Sequence, residues 1–181
     1  DSCFIPNWDF WFVLELEEFL ARGGDPELVR SFRPKVIDAV GWFDRHLNSD
    51  GLLEKLPGWV FVEWSKANEF TQDINYPTNM VYAYILRAAG KLYGNEAWQK
   101  KGEALKALLA ERCFDGTFFV DNAVLTDGVA VNTRNRSETC QDHAFYFGIA
   151  DKERYPELYE RLLTQFGPLR DAEKVCPTVY P

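Results

Sequence analysis

A chain of 181 residues is long enough for one domain with a sizeable core, and its apolar share of 46% is ordinary for a globular protein. Its formal net charge of −8 repels polyanions, and no apolar run reaches the length of a membrane span, so neither nucleic acid nor a membrane is expected as a partner. Aromatic residues make up 15% of the chain, more than a helical core of this length usually requires, so we expect some rings to line a groove.

The first part of the chain predicts two helices. Apolar residues at three- and four-residue spacing predict a first helix over about 8–22, which stops at a pair of glycines. Asp25 caps a second helix that continues to Leu47, and Pro34 should kink or restart it. The turn cluster 48–51 then ends the helical run.

The segment 57–64, which reads Pro-Gly-Trp-Val-Phe-Val-Glu-Trp, has a period of two and predicts a strand. A strand here would place Trp59, Phe61 and Glu63 on one face and Trp64 on the other. Aromatic rings beside an acid suit sugar binding, because the apolar face of a pyranose stacks on indole while its hydroxyls bond to carboxylates. The alternative is a buried connector whose tryptophans fill the core.

The rest of the chain predicts four further helices and two more short strands. Asn75 caps a third helix that Gly94 ends, and a fourth helix follows at once, so these two form a helical hairpin. The remaining predicted elements are a strand at 117–121, a strand at 129–131 after the Asp127-Gly128 turn, a fifth helix over about 137–148 and a sixth over about 154–166.

The six predicted helices group into three hairpins, and their connections alternate between short turns and longer loops that carry the strands. This alternation predicts an all-α fold in which helical hairpins follow one another around a toroid. The longer loops should gather at one end and carry the functional site.

Cysteine and histidine are too scattered to indicate a metal site. No Cys-x-x-Cys pair occurs, which favours mostly free thiols over a zinc site or a disulfide framework. Neither His46 nor His143 has a metal-binding neighbour at helical spacing. We therefore expect no metal and no cofactor. The cysteines are Cys3, Cys113, Cys140 and Cys176.

The order of the segments resembles the catalytic domain of bacterial α-L-rhamnosidases, a glycoside hydrolase family with an (α/α)6 barrel. Each piece is short, and their order and spacing over about residues 5–170 carry the resemblance. The matching pieces are 28–51 with its Asp-Gly-Leu-Leu ending, 58–64, 79–94, 118–123, and 137–141 followed by 144–149.

The resemblance implies that residues 1–181 are a single segment, three hairpins and about half of a twelve-helix barrel. A chain that begins Asp-Ser-Cys is also expected to be part of a longer protein. In the family the general acid lies upstream of the segment matching Ile5 and Pro6, and the general base lies downstream of the one matching 175–180. Both should therefore be outside this chain. Half a barrel should leave apolar surface open on the first and last hairpins, including the rings of Phe10, Trp11, Tyr155 and Phe166.

The resemblance also implies a set of sugar-binding residues, with two departures from the family pattern. Glu63 stands where the family usually has Asp, and Thr139 stands where many relatives carry His. Glu63 and Glu138 are secondary candidates for catalysis, although Glu138 in a first helical turn is equally consistent with a capping role. The residues expected to bind substrate are Trp59, Glu63, Trp64, Asp121, Asn135, Glu138 and Gln141.

Two classes of function stay open. The first is a segment of a rhamnosidase-like glycoside hydrolase that acts on α-L-rhamnosides or related plant or bacterial glycans by an inverting mechanism. The second is a carbohydrate-binding or scaffold module without chemistry, and within the enzyme class an unsaturated glucuronyl hydrolase is a further alternative. The expected partners are a carbohydrate and the remainder of the parent chain. The compartment is periplasmic or extracellular if the parent carries a signal peptide, and cytoplasmic otherwise.

Overall fold

The computed structural model of the chain describes residues 4–166, which are mostly helical, as predicted. A 3₁₀ helix, Lys66–Glu69, lies in the long connection before the first strand. The helices and strands are α1 (Trp8–Ala21), α2 (Pro26–Ser31), α3 (Arg33–Asp44), β1 (Ile74–Asn75), α4 (Tyr76–Tyr93), α5 (Glu96–Arg112), β2 (Asn122–Thr126), β3 (Val129–Asn132), α6 (Glu138–Tyr146) and α7 (Pro156–Gln165).

Pro34 divides the predicted second helix into α2 and α3, so the restart prediction is confirmed. Phe32 is at once the last cap of α2 and the first cap of α3. Pro34 follows in the first turn of α3. The N–H groups of a first turn have no acceptor within the helix, so the N–H that proline lacks is not needed there. Asp25 caps α2 by accepting a hydrogen bond from the backbone N–H of Glu27 at 2.8 Å.

Helix α4 is the centre of the fold. Thirteen of its 18 residues are buried, because it packs against α1, α5 and α6. Gly94 adopts a left-handed conformation, with φ of 65°, and turns the chain directly into α5. Gly102 brings α5 close to α4, since a Cβ there would lie 2.7 Å from the carbonyl oxygen of Ala83. The predicted α4–α5 hairpin is therefore confirmed.

Aromatic stacking joins α1, α3 and α4 in the core. The rings of Phe10 and Phe43 stack with centroids 4.4 Å apart, and both contact the ring of Tyr82. Phe10 is 1% exposed and Phe166 is 5% exposed, so the prediction that these two rings lie open was wrong. Each packs into the core of this segment itself. Trp11 is 44% exposed, as predicted.

The strands form one antiparallel sheet in the order β1-β2-β3, and the strand predicted at 117–121 was wrong. Phe118, Phe119 and Val120 are all buried, so their side chains do not alternate between a core and a solvent face. The β2–β3 hairpin turns at Asp127-Gly128, where both residues have positive φ, as its turn chemistry predicted.

The last two helices begin close to their predicted starts. Ser137 caps α6 by accepting a hydrogen bond from the N–H of Cys140 at 3.0 Å. Helix α7 begins at Pro156, two residues later than predicted. Within 4–166, no helix is long and apolar enough to cross a membrane.

Candidate functional site

Residues 57–64 form an irregular segment rather than the predicted strand. Their backbone N–H groups bond to partners outside any sheet. The N–H of Trp59 donates to the carbonyl oxygen of Phe4 at 2.8 Å, and that of Phe61 donates to the side-chain oxygen of Asn7 at 3.2 Å. The N–H of Val62 donates to the side-chain oxygen of Asn68 at 3.0 Å. Side-chain and loop acceptors thus replace the neighbouring strand that a ladder would need.

Three rings of this segment form an aromatic cluster: Trp59, Phe61 and Trp64. Phe61 is its central member, with ring centroids 5.3 Å from Trp59 and 4.8 Å from Trp64, and the two indoles lie 5.7 Å apart. The predicted alternation, with Trp64 on the opposite face from Trp59, was therefore wrong. Trp64 is 80% exposed and Trp59 is 40% exposed, so the cluster presents indole surface to solvent. The alternative interpretation, in which these tryptophans fill the core, does not fit indoles that are this exposed.

Glu63 lies beside the cluster and opens onto a groove between α1 and α6. Its carboxylate accepts a hydrogen bond from the backbone N–H of Trp64. The groove has a volume of about 400 Å³. We call it the α1–α6 groove, and it is lined by Trp11, Glu63, Thr139, Asp142, His143, Tyr146 and Phe147.

Two titratable groups of α6 in this groove have shifted pKa values. Burial and the neighbouring Glu138 charge raise the pKa of Asp142 to about 6. Burial lowers the pKa of His143, although its bond to the Thr139 carbonyl and the charge of Glu63 both oppose the shift. Because a carbonyl only accepts, Nδ1 of His143 is the protonated nitrogen in that 2.9 Å bond. The groove therefore offers hydrogen-bond acceptors of two kinds, carboxylate oxygens and Nε2 of the neutral His143 ring.

Glu138 is half-buried in the first turn of α6, close to the aromatic segment. It lies four residues before Asp142 and acts on its pKa. The hydroxyl of Thr139, the next residue, lies 3.5 Å from that of Ser65, which immediately follows Trp64. The start of α6 and the end of the aromatic segment therefore meet at Thr139 and Ser65.

Asp121 and Gln141 lie instead in a buried polar corner beneath the start of α6. Both carboxylate oxygens of Asp121 accept bonds from Ser137, one from its N–H and one from its hydroxyl, each at 2.6 Å. Burial raises the pKa of Asp121 to about 6, against the lowering effect of these two bonds. Gln141 accepts from the N–H of Phe119 at 2.8 Å and donates to the carbonyls of Phe119 and Ser137 at 2.8 and 2.9 Å.

Neither Asp121 nor Gln141 exposes surface to a ligand here, since each is 0% exposed. Asn135 belongs to the same region: its carbonyl accepts from the N–H of Asp121 at 2.9 Å, and its amide donates to Asn122 at 3.0 Å. Asn135 is only half-buried, so part of it stays accessible. Asp121 and Gln141 therefore hold α6 in place through their bonds to Ser137 and Phe119.

Of the groove residues, Glu63 alone was a site candidate from the sequence. The six that were missed are Trp11, Thr139, Asp142, His143, Tyr146 and Phe147. The spacing of Asp142 four residues after Glu138 indicated that the two acids share one face of α6. The same rule relates Thr139 to His143. The pairing of Trp11 with α6 had no local signal, because more than a hundred residues separate them. In the part of the chain that is described, no group of three or more His, Cys, Asp or Glu residues is arranged to hold a metal ion.

Two rhamnosidases of known structure are similar in fold to this chain. No family model matches it, and no curated protein sequence matches it. A GH78 family rhamnosidase of Bacillus sp. GL1 is similar in structure, with a TM-score of 0.78 and 21% identity over 97% of this chain and 18% of that one. A rhamnosidase from Klebsiella oxytoca with rhamnose bound gives a TM-score of 0.68 and 16% identity over 90% of this chain and 31% of that one. This chain therefore has the fold of a rhamnosidase segment, and it spans less than a third of each of those chains.

Proposed function

We propose that this chain is a segment of a glycoside hydrolase that acts on α-L-rhamnosides or related plant or bacterial glycans. It supplies sugar-binding surface, and the principal general acid and base lie outside it. The observation that carries the proposal is the exposed aromatic cluster beside Glu63, on a fold shared with two rhamnosidases. The K. oxytoca enzyme has rhamnose bound, which supports a deoxyhexose as the ligand to test first.

The cluster suits a sugar ring because indole offers a flat apolar surface. Trp64 has most of its surface free, so it stacks on the C–H face of a pyranose. Glu63 is the adjacent residue and is exposed, and it accepts hydrogen bonds from the sugar hydroxyls. The α1–α6 groove continues from Glu63 and provides further carboxyl and imidazole groups to a second sugar unit.

The reaction we propose for the parent protein is hydrolysis with inversion. That chemistry needs one carboxylic acid to protonate the leaving oxygen and one carboxylate to activate water, about 6.5 to 9.5 Å apart. Glu63, Glu138 and Asp142 bind and orient substrate in this scheme, and the residues before and after this chain complete the pair. Three consecutive hairpins then form about half of an (α/α)6 toroid, with α1, α4 and α6 as its inner helices.

Calorimetric titration of the purified chain with L-rhamnose tests this function. We expect saturable binding that Trp64→Ala abolishes or weakens about tenfold. Leu163→Ala is the matched control, because Leu163 is 63% exposed on α7 and belongs to neither the cluster nor the groove. Equal affinity of Trp64→Ala and the parent chain would contradict the platform role. Tighter binding of an unsaturated glucuronide than of rhamnose would favour a glucuronyl hydrolase instead.

Assays with an aryl α-L-rhamnoside test where the acid and base lie. General acid and general base catalysis each contribute about 10² to 10⁴-fold, so a chain that lacks both should show no turnover. Rhamnose binding without turnover supports the proposed segment. Turnover that Glu63→Gln or Glu138→Gln abolishes would place the catalytic pair inside this chain. In the parent protein, rhamnose binding with no hydrolysis of any rhamnoside would favour a binding module.

A further inference from the structure

We propose that Asn7 and Thr78 are positioning residues, which hold the aromatic cluster in the geometry that binds a sugar. The inference rests on the proposed function, since it concerns the same cluster. It identifies residues that touch no ligand themselves and act through Phe61, the central ring.

The evidence is a continuous relay of hydrogen bonds. The N–H of Phe61 donates to the side-chain oxygen of Asn7 at 3.2 Å, and the side-chain amide of Asn7 donates to the hydroxyl of Thr78 at 3.0 Å. That hydroxyl donates to the side-chain oxygen of Asn75 at 2.6 Å. The amide of Asn75 donates to the carbonyl of Phe70 at 2.9 Å. Both ends of the loop 61–70 are thereby tied to the first turn of α4.

The relay is directional, so each residue type in it is specific. Asn7 uses its amide both to accept and to donate, which neither Asp nor Leu can do. Thr78 uses one hydroxyl as acceptor and donor at once, which Val cannot do although its shape is similar. Asn7, Thr78 and Asn75 are at most 5% exposed, so water does not replace a lost partner without rearrangement.

No sheet holds the segment. Bonds to Phe4 and Asn68 anchor Trp59 and Val62, and the relay anchors the backbone of the central ring between them. Phe61 contacts both indoles, and its N–H bonds to Asn7 rather than to a neighbouring strand. A shift of the Phe61 backbone therefore moves the ring on which Trp59 and Trp64 both rest. Asn79 provides a contrast one residue after Thr78. Its side-chain oxygen accepts from the N–H of Leu53, and its amide donates to the carbonyls of Leu53 and Asn75. These partners are backbone groups, whereas the relay runs through side chains.

Thr78→Val, with Thr78→Ser as the conservative rescue, tests the proposal in the full chain. We expect Thr78→Val to speed hydrogen exchange at the Phe61 amide about tenfold and to weaken L-rhamnose binding per folded molecule by a similar factor. Thr78→Ser should restore both. Asn7→Ala should reproduce the Thr78→Val result without any change inside α4. If Thr78→Val does not fold, Asn7→Ala by itself tests the relay.

Asn79→Ala is the control for a purely structural role, because it also removes buried hydrogen bonds from α4. It should lower the melting temperature and leave the Phe61 exchange rate and the rhamnose affinity unchanged. Normal Phe61 exchange in Asn7→Ala would overturn the proposal, and so would equal loss of affinity in Asn79→Ala. If the unaltered chain does not bind rhamnose at all, the proposed function fails, and the Phe61 exchange rates still decide whether Asn7 and Thr78 position the cluster.

Discussion

The aromatic segment and the buried polar corner were both candidates for sugar binding, and they differ in how far their side chains are exposed to solvent. In the corner, Asp121 and Gln141 are fully buried and bond to Ser137 and Phe119. In the segment, Trp64 and Glu63 are exposed and no sheet covers them. A polar side chain whose atoms all bond the surrounding backbone serves folding, whereas an exposed ring next to an exposed acid remains available to a ligand. Substitutions in the two regions should therefore separate stability from binding.

The largest effect should come from Gln141→Leu. Leucine fills a similar volume but leaves the N–H and carbonyl of Phe119 and the carbonyl of Ser137 without their partner. We expect the free energy of unfolding in urea to fall by about 3 kcal/mol. The exposed Gln72→Leu should change it by less than about 1 kcal/mol. A small effect of Gln141→Leu would mean that the corner is not what holds α6.

The pH dependence of stability should reveal the buried carboxyl of Asp121. Its folded pKa of about 6 exceeds the ordinary 3.8, so the folded state binds the proton more readily, and this contribution to stability falls as the pH rises through 4 to 6. His143 acts in the opposite direction over an overlapping range, because its pKa is lowered. The informative quantity is therefore the stability difference between the parent chain and Asp121→Asn.

Urea titrations at pH 4.5 and 7 measure that difference. We expect the parent chain to gain about 2 kcal/mol relative to Asp121→Asn on going from pH 7 to pH 4.5. No change in the difference would show that Asp121 titrates normally, and the corner would then be more open to solvent than its geometry indicates.

Gly58→Ala should disturb the aromatic segment at its first residues. Gly58 has φ of 88°, and a Cβ there would lie 2.5 Å from the carbonyl oxygen of Phe4, which accepts the N–H of Trp59. We expect a loss of about 1 to 2 kcal/mol in stability together with a shift in tryptophan fluorescence. Gly51→Ala is the matched control, since its φ is 83° and nothing lies within 4 Å of the added carbon. An identical fluorescence response in both variants would show that the contact between residue 58 and the Phe4 carbonyl does not position the segment.

Trp64→Ala should have the smallest effect on stability and a clear effect on binding. Because Trp64 is 80% exposed, its removal should change the free energy of unfolding by less than about 1 kcal/mol. Phe43→Ala, at a ring that is 2% exposed, should cost about 3 to 5 kcal/mol by contrast. Thermal melts of both variants beside rhamnose titrations measure the two effects. A large drop in melting temperature for Trp64→Ala with unaltered affinity would assign this ring to the core.

The sequence by itself determined the helices that begin and end with local interactions. The caps at Asn75, Asn95 and Ser137 accept hydrogen bonds from backbone N–H groups three residues ahead, so a short stretch of sequence contains all the information that each cap needs. The same is true of the turn at Asp127-Gly128, because its two residues readily adopt positive φ.

Only the tertiary structure decided the course of 57–64, the position of β2 and the exposure of the polar candidates. The alternating pattern of 57–64 suits a strand, but a strand also needs a neighbour, and here Asn7 and Asn68 accept its N–H groups. Asp121 and Glu63 both carry a carboxyl group, and the sequence alone does not distinguish which of the two is exposed. One is buried because its neighbours Phe119 and Val120 pack into the core, and the other is exposed because the loop turns outward. The α1–α6 groove joins Trp11 to His143, and a contact over that separation depends on how the helices pack, which no local pattern specifies.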